Sequence, residues 1–441
     1  MVKYKSLVLA VCVLAALPAA VMQSRAAAMT YLDNGQIRLG LDLDMGGAVT
    51  YLAESGGGSN MINSWDHGRQ VQLSFYSGPV PFHPPGTRLD PSWRALGWNP
   101  IQAGDAFGHG SRVTYFKNNG RTIHLRCVPL IWPLNNVPAE CVFECAYQLA
   151  GKTVEVDNRL VNARSDHTQY AGRDQELPAV YSNGAWYKLV SYTGDQPFTG
   201  GAPTTLVDLN DGKGWPWLTF YGTEHWAALL DKNDHGLGVF EPDACHFGGG
   251  FAGKPKGVGG PKNDQTGYIA PNLDEILDDN ITYSFHYVLI VGSLDDIRRY
   301  ASKHARPVSA PRWIFKKDRQ HWIYQNTTDA GWPIKRELRV TLGPPDAALL
   351  SPETLWAAQK APTFQMEAAL DSGREVSLML QSSRHAWLGP VQIPIIPDGR
   401  YRRYQTNLSA LTGYSGAMSR VKLILPQGES VARFRAIGFM K

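Results

Sequence analysis

Val154-Glu155-Val156-Asp157-Asn158-Arg159-Leu160-Val161 alternates apolar with polar side chains over most of its length. A strand turns successive side chains to opposite faces, so this period of two predicts a half-buried β-strand. The same alternation runs through Gln36-Ile37-Arg38-Leu39-Gly40-Leu41-Asp42-Leu43 and Tyr283-Ser284-Phe285-His286-Tyr287-Val288-Leu289-Ile290. Helix signals are scarce. Ser293-Leu294-Asp295-Asp296 begins like a capping box and predicts a short helix from Leu294 to His304. Ser351-Pro352-Glu353 predicts another over 355–360, through an N-cap serine and a first-turn proline. With 44 Gly and 29 Pro spread along the chain to supply turns, the expected class is all-β.

A length of 441 residues predicts two domains rather than one. The break is expected at Arg306-Pro307-Val308-Ser309-Ala310-Pro311-Arg312, a proline-bearing linker that follows the predicted helix. Beyond it, short strands at 364–370, 376–381, 403–407, 421–425 and 431–439 predict a separate, smaller β-sandwich over 306–441. Residues 29–305 form the larger and candidate catalytic unit. Residues 1–28 read as a secretory signal: Lys3 and Lys5, an apolar run from Leu7 to Leu17, then Arg25-Ala26-Ala27-Ala28. No later stretch has the roughly 18 to 20 apolar residues of a membrane helix, so the expected product is soluble and either secreted or periplasmic.

A net charge of +4 is too mild to point to nucleic acid and leaves an acidic sugar open as a ligand. Beyond the signal, Cys127, Cys141, Cys145 and Cys245 remain. Export permits two disulfides with three possible connectivities, and Cys127 and Cys141 flank a proline-containing turn from which they could bridge adjacent strands. Zinc is not expected, because no CxxC pair occurs. The acidic turns at 208–212 and 231–236 lack the distal glutamate of a calcium loop and read as hairpins. Neither a metal nor a cofactor is expected, and the oligomeric state is left open.

Tyr31-Leu32-Asp33-Asn34-Gly35-Gln36-Ile37-Arg38-Leu39, followed by Gly46-Gly47-Ala48-Val49-Thr50-Tyr51-Leu52, resembles the start of the galactose mutarotase-like superfamily. Val154 to Asp166 is similar to the strand and turn that precede the ligand-facing strand in those proteins. The resemblance spans about residues 30 to 305 and implies a two-sheet β-supersandwich whose concave face binds a saccharide. The Asn-His-x-Tyr-Phe-type segment of the epimerases is absent, so none of their catalytic residues transfers. In the C-terminal part, Asp398-Gly399-Arg400-Tyr401-Arg402-Arg403-Tyr404-Gln405-Thr406-Asn407-Leu408-Ser409 resembles a segment of carbohydrate-binding jelly rolls. A purely structural cap on the first domain is the alternative there.

The chemistry-bearing candidates concentrate in three places. In Gly172-Arg173-Asp174-Gln175-Glu176-Leu177-Pro178-Ala179-Val180-Tyr181, an extended backbone projects Asp174 and Glu176 together, with Cα atoms roughly 6.5 to 7 Å apart. Two such carboxyls can act as general acid and as base or nucleophile in glycoside cleavage; a solvated strand edge with Arg173 pairing a neighbouring acid is the plain alternative. Asn63-Ser64-Trp65-Asp66-His67-Gly68-Arg69-Gln70 offers an indole for stacking, and Asp66, His67 and Arg69 for hydrogen bonds to a glycan. The third stretch runs from Glu241 through His246, Gly248-Gly249-Gly250 and Lys254 to Lys256, continuing through Gly257, Gly259 and Gly260 to Lys262, a ligand-approaching segment or a mobile loop.

The expected function is therefore a carbohydrate-active enzyme cleaving glycosidic bonds of a polysaccharide or oligosaccharide. Asp174, Glu176 and His246 are its candidate catalytic groups, and Asp66, His67, Arg69, Arg173, Tyr181 and Lys254 its candidate substrate contacts. Three rivals stay open: a polysaccharide lyase acting by β-elimination on a uronate, a sugar epimerase, and a non-catalytic glycan-binding protein. Serine hydrolase, zincin and dinucleotide enzymes are excluded, because GxSxG, HExxH and GxGxxG-after-strand patterns are absent.

Overall fold

A computed structural model describes residues 28–206, 217–306, 310–343, 345–428 and 430–440. The proposed signal up to Ala27, the acidic turn at 208–212 and residues 307–309 of the expected linker lie outside the described residues.

The alternating stretch at 154–161 lies in the strand Thr153–Asn162, where Val154, Val156 and Leu160 are fully buried while Asp157 and Arg159 face out. It is an interior strand of an antiparallel sheet that, among the described residues, has nine strands. Its neighbours are Cys141–Ala150 and Thr282–Ser293. A second antiparallel sheet, ten-stranded among the described residues, runs through Met29–Asp33, Ile37–Asp42, Ala48–Glu54, Val71–Ser74, Arg173–Asn183, Thr266–Glu275, His246–Ala252 and Leu218–Tyr221. The inner faces of both share one apolar core, from Leu32 to Val291. This is the expected all-β class and two-sheet supersandwich.

The helix Leu294–His304 forms as predicted, and its capping box is complete: Ser293 Oγ accepts from the Asp296 amide at 3.2 Å, and Asp296 Oδ2 accepts from the Ser293 amide at 3.2 Å. Ile297 and Ala301 pack it on the outer face of the nine-stranded sheet. Gly238 makes that contact possible, since a Cβ there would lie 2.6 Å from Ile297 Cγ2. The second predicted helix is a correction. Residues Trp356–Ala357 pair as a short strand with Ala417–Ile424, leaving only the 3-10 turn Ala358–Lys360, because Trp356 is buried in the core of the smaller sandwich. Among the described residues that sandwich has a five-stranded and a six-stranded sheet around a core drawn from Trp313 to Phe439.

The disulfide expectation is also corrected. Cys127, Cys141, Cys145 and Cys245 are free, buried thiols, and burial pushes all four above the usual thiol range. Cys127 and Cys141 do sit on neighbouring strands, but the partner of Cys127 is Phe143, two residues past Cys141. These thiols serve as small core side chains. Among the described residues no helix is long and apolar enough to cross a membrane.

The sandwiches are tied together by buried charge. Arg319 of the smaller one forms ion pairs with Asp278 of the larger and with its own Asp329, with Nη2 to Asp329 Oδ1 at 2.9 Å. Gln169 Nε2 also donates to Asp329 Oδ1 across the junction, at 2.5 Å. Replacing Arg319 by methionine strands two buried carboxylates and should cost about 3 to 5 kcal/mol. Urea unfolding of the variant against the parent measures this; an unchanged midpoint would remove the strut from the account.

Candidate active site at the junction of the two sandwiches

Strand pairing lays out the site. Ser74, Glu176, Asn272, His246 and Tyr221 are successive cross-strand partners on five neighbouring strands, so their side chains leave the sheet on one face. One step along, Asp174 stands directly opposite Asp274. The pairing of Arg173–Asn183 with both neighbours shifts register after Glu176. Leu177 and Val180 therefore enter the core, while Ala179 and Tyr181 join Asp174 and Glu176 on the outer face. Gln175 secures the neighbouring segment: its amide accepts from the Tyr76 N–H at 2.7 Å and donates to the Tyr76 carbonyl at 2.9 Å.

Glu176 is held by two phenols. Tyr76 Oη donates to its Oε2 at 2.7 Å, and Tyr268 Oη donates to its Oε1. Burial, and then the Glu176 charge, raise both phenols well above the usual tyrosine range, so both stay protonated as donors. On one side of Glu176 lies a pocket of about 250 Å³ walled by Trp93, Trp132, Tyr181 and Trp217, with Asp66 and Arg69 in its lining. Tyr268 stacks against Trp217 with centroids 4.6 Å apart and against Tyr181 at 4.9 Å. On the other side an open trough of about 480 Å³ runs past Arg173, Asp174, Asn272 and Asp274.

Two buried amide oxygens at this site have no protein partner: Asn99 Oδ1 in the pocket lining and Asn272 Oδ1 in the trough lining. A buried acceptor without a donor costs about 1 to 3 kcal/mol, so these two amides are a local cost of the site's architecture.

The trough has its own electrostatics. Burial, then the charge of Asp274 and a hydrogen bond to it, push the Asp174 carboxyl up to about 7, against a smaller opposing effect of His246. His246 Nδ1 lies 3.0 Å from Glu353 Oε2 of the smaller sandwich. Burial works against the imidazolium, but Glu353, with Asp174 and Asp274 behind it, holds the His246 pKa above the ordinary value. Burial likewise opposes the Glu353 carboxylate, and His246, Arg420 and Tyr221 outweigh it, so its pKa lies below the usual range.

The candidates from the sequence divide accordingly. Asp174 and Glu176 share the face and the trough; Glu176 is half-buried, and because Asp174 is exposed as a residue, the facing Asp274 carboxyl is a firmer cause of its raised pKa than burial. Arg173 lines the trough, where Nη1 donates to the Leu96 carbonyl at 2.6 Å, bracing the wall. Tyr181, Asp66 and Arg69 line the pocket, and Arg69 Nη2 is fixed by Asp264 Oδ1 at 2.9 Å. His67 is placed elsewhere: its Nδ1 lies 3.1 Å from the His109 carbonyl oxygen, and it lines neither space. Lys254 is exposed in the turn after His246–Ala252 and lines neither. Gly248-Gly249-Gly250 is a buried strand segment, so the loop alternative fails for these three glycines, whereas residues 253–265, with Gly253, Gly257, Gly259 and Gly260, lie between strands.

Tyr76, Tyr268, Asn272, Asp274, Glu353 and Arg420 are absent from the sequence candidates. Tyr268, Asn272 and Asp274 were visible as alternate positions of one strand.

No protein-family model and no curated protein sequence matches this chain. Solved structures similar to it include a galactose mutarotase related enzyme from Lactobacillus acidophilus, at 12% identity and a TM-score of 0.39 over 60% of this chain and 97% of that one. A putative aldose 1-epimerase from Escherichia coli K12 is 12% identical with a TM-score of 0.36, over 61% of this chain and 100% of the other. A GH36 alpha-galactosidase from Geobacillus stearothermophilus is 13% identical with a TM-score of 0.34, over 60% of this chain and 41% of that enzyme.

Because the folded-state pKa of Asp174 is raised, its protonated form favours folding; that contribution is complete below the unfolded value near 3.8 and is lost as pH rises through about 7. Asp174→Asn should therefore raise Tm most above pH 7, progressively less between pH 7 and pH 4, and change it little below about pH 4. Differential scanning fluorimetry across that range checks the sign.

Proposed function

We propose that this chain is a carbohydrate-active enzyme that hydrolyses glycosidic bonds, with Asp174 as general acid and Glu176 as its carboxylate partner. The observation that carries the proposal is the contrast between two carboxyls on one face. Asp174 retains its proton to about pH 7, whereas Glu176 is clamped by two phenol donors. Environments that differ in this way separate acid from base.

In this reading a sugar ring packs on the indole and phenol walls of the pocket. The rest of the glycan lies in the trough. Asp174 gives its proton to the glycosidic oxygen as the bond from that oxygen to the anomeric carbon breaks, releasing the leaving sugar as an alcohol. Glu176 acts on the anomeric carbon from the opposite side, directly or by taking a proton from the attacking water. Arg173, Asp66 and Arg69 shape the surroundings of the glycan.

Elimination is less well supported, because it needs a base at the uronate carbon. Tyr76, Tyr181 and Tyr268 have phenols raised far above neutrality by burial first, and His246 is engaged by Glu353. The basic, apolar and small-residue pattern of residues 1–28 supports export as part of the same proposal.

A screen of neutral and acidic polysaccharides and oligosaccharides tests the reaction class. The expected result is new reducing ends without the ultraviolet absorbance of an unsaturated sugar, and an alkaline limb of the rate near pH 7. Asp174→Asn and Glu176→Gln should each lower kcat about 10²- to 10⁴-fold while saccharide binding persists. An unsaturated product, or anomer exchange without chain shortening, would sink the proposal.

A further inference from the structure

The Asp174 and Asp274 pair poses a problem that the larger sandwich does not solve alone. Two acids that face each other on adjacent strands repel when both are charged, and sharing one proton between them leaves its position undefined. The surrounding groups decide it. On its own strand Asp174 has Arg173 and Glu176; Tyr76 stands on one side; Asp274 and then His246 stand on the other. The groups that complete the set come from the smaller sandwich. Arg420, which is buried, places Nη2 2.5 Å from Asp274 Oδ2 and Nη1 3.4 Å from Glu353 Oε1, while its Nε donates to the Ser351 carbonyl at 2.9 Å. Glu353 meets His246 and also accepts from Tyr221 Oη at 2.8 Å.

We propose that Arg420 is a positioning residue that assigns the proton of the acid pair to Asp174: by pairing with Asp274 it makes that carboxyl the ionised member and leaves Asp174 as the one that donates. Glu353 supports the arrangement by fixing His246 beside the pair. The smaller sandwich is thus part of the reaction site, and a separate carbohydrate-binding module is not needed to explain why it is docked there. The assignment of a catalytic use to this proton rests on the hydrolase reading; the assignment of the proton itself does not.

Carboxyl-carbon NMR titration of the full chain reads the proton directly. In the parent protein Asp174 should titrate in one dominant step. In Arg420→Met the two acids become near-equivalent, and Asp174 should titrate in two steps shared with Asp274. Arg420→Gln, which keeps a donor but not the charge, should do the same and serves where the methionine variant does not fold. In Asp274→Asn the Asp174 step should fall by about one unit or more. A curve for Asp174 that superimposes on the parent in the Arg420 variants, or that stays in place in Asp274→Asn, overturns the proposal. The kinetic counterpart is a fall in kcat of about tenfold or more at neutral pH in folded Arg420→Gln, with saccharide affinity nearly unchanged. If the titration responds but no glycan is cleaved by the parent, the hydrolase reading fails and the positioning role stands; cleavage with an unresponsive titration has the opposite meaning.

Discussion

The direct opposition of Asp174 and Asp274 on paired strands is the constraint around which the rest of the site is arranged. Like charges in that position destabilise a sheet. The strain is relieved from outside the sheet. Arg420 pairs with one member, and Glu353 holds the pKa of the adjacent His246 above its ordinary value against the opposing effect of burial.

That relief explains why the two sandwiches are joined where they are. The end of the Thr266–Glu275 strand presents Asp274 to Arg420 and Glu275 to His321, whose Nδ1 lies 2.5 Å from Glu275 Oε2. Three residues on, Asp278 pairs with Arg319. Acidic groups of the larger sandwich thus meet basic groups of the smaller one. Buried ion pairs of this kind are a poor source of stability, but they demand a unique geometry and break expensively.

Within the larger sandwich, the register shift after Glu176 has the matching role. It brings Tyr181 to the same face as the acids and so joins an apolar, aromatic pocket to a polar, charged trough, with Glu176, Tyr76 and Leu96 lining both. A pyranose has this same division, with C–H faces that favour rings and edges of hydroxyls that seek acceptors. The His246–Ala252 strand is glycine-rich for a related reason: a Cβ at Gly248 would come within 3.3 Å of Asn272 Nδ2 and crowd the face.

Much of the fold was legible in the sequence, because strand alternation, turn residues and the capping box at Ser293 are local signals that packing did not overrule. The shared face of Asp174 and Glu176 was legible for the same reason, since period-two geometry holds wherever a strand is extended. What failed locally failed for tertiary reasons: the predicted helix at 355–360 gave way to burial of Trp356, and the expected bridge between Cys127 and Cys141 gave way to register. The inequality of the two carboxyls was decided only by tertiary structure. It depends on Asp274, about a hundred residues away in sequence, and on Arg420 and Glu353 from another sandwich, and no local pattern encodes which distant charges will surround a side chain.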